Sequence, residues 1–280
     1  MVKYADYIKQ IEIDSLWGGR KHILWTLDPH VNILSGINGV GKSTILNKVF
    51  RSIHTNGDLQ NHLLKGVRIT SEPEDATHIR FDIIRSAGDP PVALSEGRGA
   101  WNVSGSQSPL PWGGDGGGYL DFQLYNLQRK YLDYQVNIGN RIIQALQEGQ
   151  TDAAQQLSQA KTCFQNMVDD LFEETGKKLV RTENEIRFSQ IGETLVPYQL
   201  SSGEKQMLAI LLTVLVEDRQ PYVLFMDEPE ISLHVEWQKR LIDLIVELNP
   251  NVQIILTTHS PAVIMNGWLD NVTEVSDITL

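Results

Sequence analysis

A chain of 280 residues, 41% hydrophobic and 21% charged, carries enough apolar material for a full core and is too ordinary in composition for wholesale disorder. Its formal net charge of −11 argues against strong nonspecific affinity for nucleic acid, which a basic excess would supply. A single cysteine, Cys163, excludes an intramolecular disulfide framework, and the longest apolar run, Met207–Val216, is far too short to span a bilayer.

The first residues, Met1 to Tyr7, lack the apolar core of a secretory leader, so a soluble, cytoplasmic protein with no membrane partner is expected. Ile8–Ile13 alternates apolar and polar positions, as a half-buried strand does. Gly18-Gly19-Arg20 makes a turn, Ile23–Leu27 is the return strand, and Val31–Leu34 is a short buried strand leading into a glycine loop. From Lys42 the apolar residues Ile45, Leu46, Val49, Phe50 and Ile53 fall at helical spacing. Val67–Thr70 and Thr77–Arg85 read as further strands. The stretch 97–118 breaks all periodicity; it is rich in Gly, Ser and Pro and holds Trp101 and Trp112. It is expected to be a flexible surface loop, either an irregular insertion or a lid that meets a partner.

Tyr119–Thr175 is the most helical stretch, with Leu120, Leu124, Leu127, Tyr131 and Tyr134 at three- and four-residue spacing. Gly149 separates a second helix, Asp152–Glu174, which makes a two-helix lobe with too few heptads for a long coiled coil. Lys178–Arg181 and Glu185–Ser189 suggest a hairpin around Glu183-Asn184. The last third alternates helix and buried strand: Gly203–Val216, Tyr222–Met226, Val235–Leu248, Val252–Leu256, then a strand near Val272–Ile278. Such alternation predicts an α/β fold with parallel strands covered by helices. The expected organisation is one domain over residues 1–280, with N-terminal antiparallel strands and an inserted helical lobe at 119–175.

Gly36-Ile-Asn-Gly-Val-Gly41-Lys42-Ser43 matches the phosphate-binding pattern G-x-x-x-x-G-K-[ST], placed between a strand and a helix as that pattern requires. Glycines let backbone N–H groups turn inward onto phosphate oxygens, and the helix start adds its positive dipole end. The nucleotide-binding candidates are therefore Gly36, Asn38, Gly39, Val40, Gly41, Lys42, Ser43 and Thr44, for ATP with Mg2+. Lys42 would meet the terminal phosphates and Ser43 would give Mg2+ a hydroxyl ligand. Tyr222–Met226 ends in Asp227 and Glu228, and ligands of parallel sheets gather at such strand ends. Asp227 would hold Mg2+, and Glu228 would orient or deprotonate the attacking water. Taken alone, the acid pair could equally cap the next helix.

Ser201 and Glu204 fit the S-x-x-E capping box, which is sufficient for a helix start but leaves Ser202-Gly203 unexplained. Ser201-Ser202-Gly203-Glu204-Lys205-Gln206 resembles the signature motif of ABC-type ATPases. The order of phosphate loop, helical insertion, signature, acid-ended strand and Ile254-Ile-Leu-Thr-Thr-His259-Ser260 resembles theirs as well. Asp227-Glu228-Pro-Glu-Ile-Ser-Leu-His234 is similar to the soluble branch with RecF-like, SMC-like and OLD-like ATPases of DNA repair and phage defence. The resemblance covers nearly the whole chain and implies the ABC-type P-loop fold, a mixed central sheet included.

That resemblance also implies a homodimer sharing two ATP sites. Lys42, Ser43, Asp227 and Glu228 would come from one subunit, and Ser202 and Gly203 from the other, with Glu204 a further nucleotide-binding candidate. Ile231–His234 would cross the interface and His259 would sense the γ-phosphate, joining Glu228 and Lys42 in catalysis. For the family's glutamine loop Gln123 and Gln107 are candidates, and Trp17 for its adenine-contacting aromatic. The insertion is too short for SMC-type arms, and about twenty residues after His259-Ser260-Pro261 leave no room for a nuclease domain, so a separate effector is expected to do any cutting.

The readings in play are an ATP-hydrolysing switch that gates an effector or a DNA transaction, an ATP-bound scaffold with negligible turnover, a transporter ATPase, and a small-molecule kinase. Glu230-Ile-Ser-Leu-His234 argues against the transporter, and the signature motif against the kinase. Direct binding of DNA or RNA stays open: Lys177, Lys178, Arg181 and Arg187 cluster around the hairpin, where a solvated strand surface is the plainer account.

Overall fold

The computed structural model describes residues 2–53, 57–59, 66–85 and 119–280. The expected loop at 97–118, with Trp101, Gln107 and Trp112, lies outside the described residues. The chain opens with β1 (Tyr7–Leu16), β2 (Lys21–Thr26) and β3 (Val31–Ser35), then enters α1 (Lys42–Ser52). Next come β4 (Val67–Glu72) and β5 (Phe81–Arg85), then the long helices α2 (Tyr119–Gln147) and α3 (Thr151–Leu171). A small meander of β6 (Lys178–Leu179), β7 (Phe188–Gln190) and β8 (Glu193–Leu195) leads to α4 (Ser202–Val216). The remainder alternates β9 (Tyr222–Asp227), α5 (Val235–Leu248), β10 (Val252–Thr257), the short α6 (Pro261–Ile264) and β11 (Val272–Glu274).

The mixture of pairing is divided between the two principal sheets, the β6-β7-β8 meander being a third and antiparallel. β2-β1-β4 is antiparallel, while β11-β3-β10-β9-β5 is parallel at every pair. Both faces of the parallel sheet are covered, so β9 and β10 are buried along their whole length, which accounts for their continuous apolar runs. Side chains alternate between two clusters. Leu224, Met226, Ile254 and Leu256 face α2, α3, α4 and α5, whereas Val223, Phe225 and Ile255 face α1 and the antiparallel sheet. Helix α4 is apolar nearly all round, as a helix enclosed on every side must be. A buried polar joint ties the two sheets: Gln253 accepts from the Ile8 N–H at 2.8 Å and donates to the carbonyls of Ile8 and Asp28, each at 2.8 Å.

Three expected elements are shorter than their sequence patterns. Thr77–Ile79 leaves the β5 strand because its amides go elsewhere: Thr77 donates to the Lys3 carbonyl and Ile79 to that of Gly57, both at 2.8 Å. The hairpin after α3 pairs Lys178↔Ser189 and Leu179↔Phe188, ends with Val180 N–H on the Arg187 carbonyl at 2.8 Å, and is extended to three strands by β8. Arg181 departs because its guanidinium binds Asn166 at 2.9 Å and Asp169 at 2.6 Å on α3. The last strand stops at Glu274, where Asp277 N–H closes a turn onto its carbonyl at 3.0 Å and Ile278 drops into the second cluster. Among the described residues no helix is long and apolar enough to cross a membrane.

Candidate functional site

The parallel strands deliver the site at their C-terminal ends. β3 runs into Gly36, whose φ of +147° begins the glycine loop, and Gly41, at φ +106°, forms the N-cap of α1. That conformation favours glycine, and space demands it as well: a Cβ on Gly41 would lie 2.2 Å from two indole carbons of Trp17. Among the described residues no side chain caps the start of α1, and its first turn holds no acid. The leading N–H groups are thus left open to an outside acceptor, and Ile37, Asn38, Gly39 and Thr44 are exposed around them. This is the cradle an anionic phosphate requires. Val40 closes the loop by donating its N–H to the Ile37 carbonyl at 3.3 Å.

Lys42 is buried, and its Nζ lies 2.9 Å from the Gly36 carbonyl, 3.4 Å from that of Ile37 and 2.8 Å from His259 Nε2. The same imidazole nitrogen is 3.0 Å from Glu228 Oε1. In one tautomer it accepts from the lysine; in the other it donates to the glutamate. Burial draws the Lys42 ammonium below the ordinary lysine range, against the opposing pull of Glu228, Asp227 and Glu230. Lys42, His259 and Glu228, separated by up to 217 positions, therefore form one contact chain.

Asp227 and Thr257 end neighbouring strands in register, and the Thr257 hydroxyl donates to Asp227 Oδ1 at 2.5 Å. Glu228 then takes φ +47°, with its N–H on the Thr257 carbonyl at 3.1 Å. A left-handed non-glycine residue costs about 1–2 kcal/mol and is characteristic of positions where geometry serves function. Glu230 is buried and accepts from Thr258 Oγ1 at 2.6 Å and from the His259 N–H at 3.0 Å.

The signature segment sits on the other covered face. Ser201 caps α4, accepting from the Glu204 N–H at 3.3 Å, while Glu204 Oε2 accepts from the Ser201 N–H and hydroxyl, both at 2.9 Å. Its second oxygen takes Lys177 Nζ at 2.8 Å and the Thr175 hydroxyl at 2.9 Å. Glu204 is thus turned inward and fully partnered, so it serves the helix start that presents Ser202 and Gly203. Ser202 is exposed, and a Cβ on Gly203 would meet the Ser232 carbonyl at 2.5 Å. Signature and Ile231–His234 therefore touch within one chain.

Other expected residues fall differently. Gln123 lines a cleft with Asp82, Lys130 and Thr213. Asp82 pairs with Leu224, three residues before the acid end of β9, which is roughly 10 Å back along the strand. Gln107 lies outside the described residues. Trp17 stands against Gly41 with Lys21 Nζ 5.4 Å from its ring, so it flanks the phosphate loop. Of the four clustered cations, three are already engaged: Lys177 by Glu204, Arg181 by Asp169, and Arg187 by Glu183 and Glu185. A residue that no motif marks is Arg85, paired in register with Asp227 at the end of β5. It donates to Asn47 Oδ1 at 2.7 Å, and Asn47 holds the Ser43 carbonyl at 2.6 Å, bracing the residue expected to meet Mg2+.

A family model described as "AAA domain, putative AbiEii toxin, Type IV TA system" matches residues 141–266. The chain is 24% identical to the Septu protein PtuA of Bacillus thuringiensis, over 91% of this chain and 72% of that protein. It is 33% identical to the Retron Ec83 "probable ATPase" of Escherichia coli over 33% of this chain and 20% of that one. The corresponding figures for the Retron Vc95 "probable ATPase" of Vibrio cholerae are 26%, 31% and 19%. The matched region thus spans about a fifth of each retron protein. A solved SMC head bound to the C-winged helix domain of ScpA shares the fold, with a TM-score of 0.51 at 14% identity over 93% of this chain and 91% of that one. By its fold and its ordered motifs the chain has the ABC-like P-loop architecture, and the relatives it resembles include proteins named as probable ATPases.

Proposed function

We propose that the chain is an ATP-driven switch in which two copies close around ATP, hydrolysis reopens them, and the movement gates a separate effector, a nuclease being the favoured kind. The observation that carries this reading is the contact chain Lys42–His259–Glu228 at the ends of β3, β9 and β10. Lys42 binds terminal phosphates, and Glu228 orients and deprotonates the attacking water. Ser43 and Asp227 would hold Mg2+, which supplies neutralisation of phosphate charge when bound. His259 contacts the γ-phosphate. Ser202 and Gly203 of the second copy cover that phosphate from the far side, consistent with the exposure of Ser202 at a helix start. The likeness to Septu and retron proteins supports a setting in phage defence, with DNA repair as the related setting. Direct contact with DNA or RNA has less support, because three of the four clustered cations already have acidic partners.

The test is Glu228→Gln. Phosphate release should fall about 10²- to 10⁴-fold while binding of a fluorescent ATP analogue persists. Gel filtration with ATP should then show a trapped dimer. Wild-type turnover in the variant would overturn the assignment of Glu228. Negligible turnover in the wild type, with ATP still holding a dimer, would favour a scaffold.

A further inference from the structure

Glu230 is an acid that the hydrolytic scheme leaves unused, although it lies among the groups that act. It is 7% exposed, and its charge is felt by Lys42 together with those of Asp227 and Glu228. Oε1 takes two donors from the segment after β10, the Thr258 hydroxyl at 2.6 Å and the His259 N–H at 3.0 Å. Oε2 is buried with no hydrogen-bond partner among the described residues. An unsatisfied oxygen of a buried carboxylate costs stability, and an apolar side chain would fill the space without that penalty. Stability alone therefore does not account for an acid here.

A second brace runs parallel to the first. Gln238 donates to the carbonyls of Leu233 at 2.9 Å and Glu230 at 3.4 Å, while its own oxygen accepts from Ser260 Oγ at 2.6 Å. Segment 230–233 and segment 258–260 are thus stapled twice. The first segment also reaches the signature, where Ser232, held at φ +76°, presses its carbonyl against Gly203. The second carries His259, which touches both Lys42 and Glu228.

We propose that Glu230 is a positioning residue that couples the segment Ile231–His234, and through it the signature, to the placement of His259. Resting on the switch reading above, it gives that switch a mechanical link: displacement of the exposed Ile231 and Ser232 by a second copy is passed to His259 by the Glu230 carboxylate. A hydrogen-bond acceptor is what the role needs. Glutamine retains that acceptor, whereas alanine does not.

The experiment compares Glu230→Ala, Glu230→Gln and the milder Thr258→Val. It uses steady-state phosphate release, titration with a fluorescent ATP analogue, and nitrogen-15 spectra of histidine-labelled protein with and without ATP. Glu230→Ala should lower kcat about 10- to 100-fold, the scale of a small misplacement, with the ATP dissociation constant changed less than about threefold. Glu230→Gln should keep most of the activity, and Thr258→Val should show a loss between the two. The ATP-induced shift of the His259 resonance should survive in Glu230→Gln and vanish in Glu230→Ala. A His259 response in Glu230→Ala equal to the wild type would overturn the proposal, as would a loss in Glu230→Gln as deep as in alanine. If the wild type itself fails to hydrolyse, the switch reading falls, while the histidine spectra still decide the coupling. Should Glu230→Ala fold poorly, an unaltered His259 response in Thr258→Val would overturn the coupling equally.

Discussion

The contact between Trp17 and the phosphate loop makes Gly41→Ala a quantitative test. Gly41 sits at φ +106° and ψ 16°, a region where an L side chain costs about 1–2 kcal/mol. The new methyl would also lie 2.2 Å from indole carbons Cη2 and Cζ2, so the ring has to leave. Trp17 is 43% exposed, so its departure surrenders roughly 80 Å² of contact, or about 2 kcal/mol at 25 cal/mol/Å². The combined cost is about 3–4 kcal/mol. With an unfolding entropy near 2.1 cal/mol/K per residue, that lowers Tm by roughly 5–7 °C in a chain of this length. The assay is thermal unfolding of wild type, Gly41→Ala, Trp17→Ala and the double variant. With the indole already gone, Gly41→Ala should cost only the backbone part, leaving a coupling of about 2 kcal/mol. Equal cost in both backgrounds would show that the ring does not rest on Gly41, and a shift below about 2 °C would refute the left-handed strain as well.

The buried charges make two further predictions. Lys177→Met removes the cation from a pair whose side chains are 12% and 3% exposed. Glu204 retains Ser201 and Thr175 as donors, so the cost should be near the low end of the 3–5 kcal/mol expected for breaking a buried pair, read from chemical denaturation. Burial pushes the Glu204 carboxyl up, but Lys177, Ser201 and Thr175 outweigh it and hold it below the ordinary glutamate value. This stabilisation is therefore complete above the ordinary glutamate value and is lost as pH falls from there through the lowered native one, and the penalty of Lys177→Met should shrink over the same range. Glu217 has the opposite sign: burial, reinforced by Asp82, raises its pKa to about 7. Folding then favours the protonated acid, and stability declines as pH rises from the ordinary glutamate value through about 7. Glu217→Gln should consequently raise Tm at pH 8 more than at pH 5; an equal effect at both would rule out the ionisation.

What the sequence discloses and what it withholds divide along sequence distance. The phosphate loop is readable because its glycines, Lys42 and Ser43 are consecutive and each answers a local backbone or phosphate requirement. The Tyr222–Asp227 run is readable because burial on both faces removes polar residues until the strand ends. The capping box at Ser201 is equally local. Arg85 and Asn47 lie 38 positions apart, and Thr258 and Glu230 28 apart, with no periodic or motif signal joining either pair. Trp17 offers an aromatic in a glycine turn, but its place against Gly41 follows from how the antiparallel sheet packs over α1. Strand ends depart from their sequence pattern where tertiary acceptors capture the backbone, as Lys3 and Gly57 do for Thr77 and Ile79.

In the proposed switch, Lys42 gives a reason for the site's parts to change together. Its ammonium has three protons, and its nearest acceptors are the Gly36 carbonyl, the Ile37 carbonyl and His259 Nε2. A phosphate oxygen that takes one of these protons must displace an acceptor, and hydrogen bonds to a charged group are worth about 1.5–3 kcal/mol each. The two carbonyls belong to the loop backbone, whereas His259 offers a side-chain acceptor on a segment whose backbone N–H rests on Glu230, and the coupling proposed above lets it shift with that acid's segment. Displacement is therefore cheapest at the histidine. Nε2, once released from the lysine and carrying the ring proton in the other tautomer, can donate to Glu228 at 3.0 Å or to a phosphate. In the proposed switch, engagement of Lys42 by phosphate and reorientation of the His259–Glu228 pair would thus be one event, set by the proton count of a single side chain.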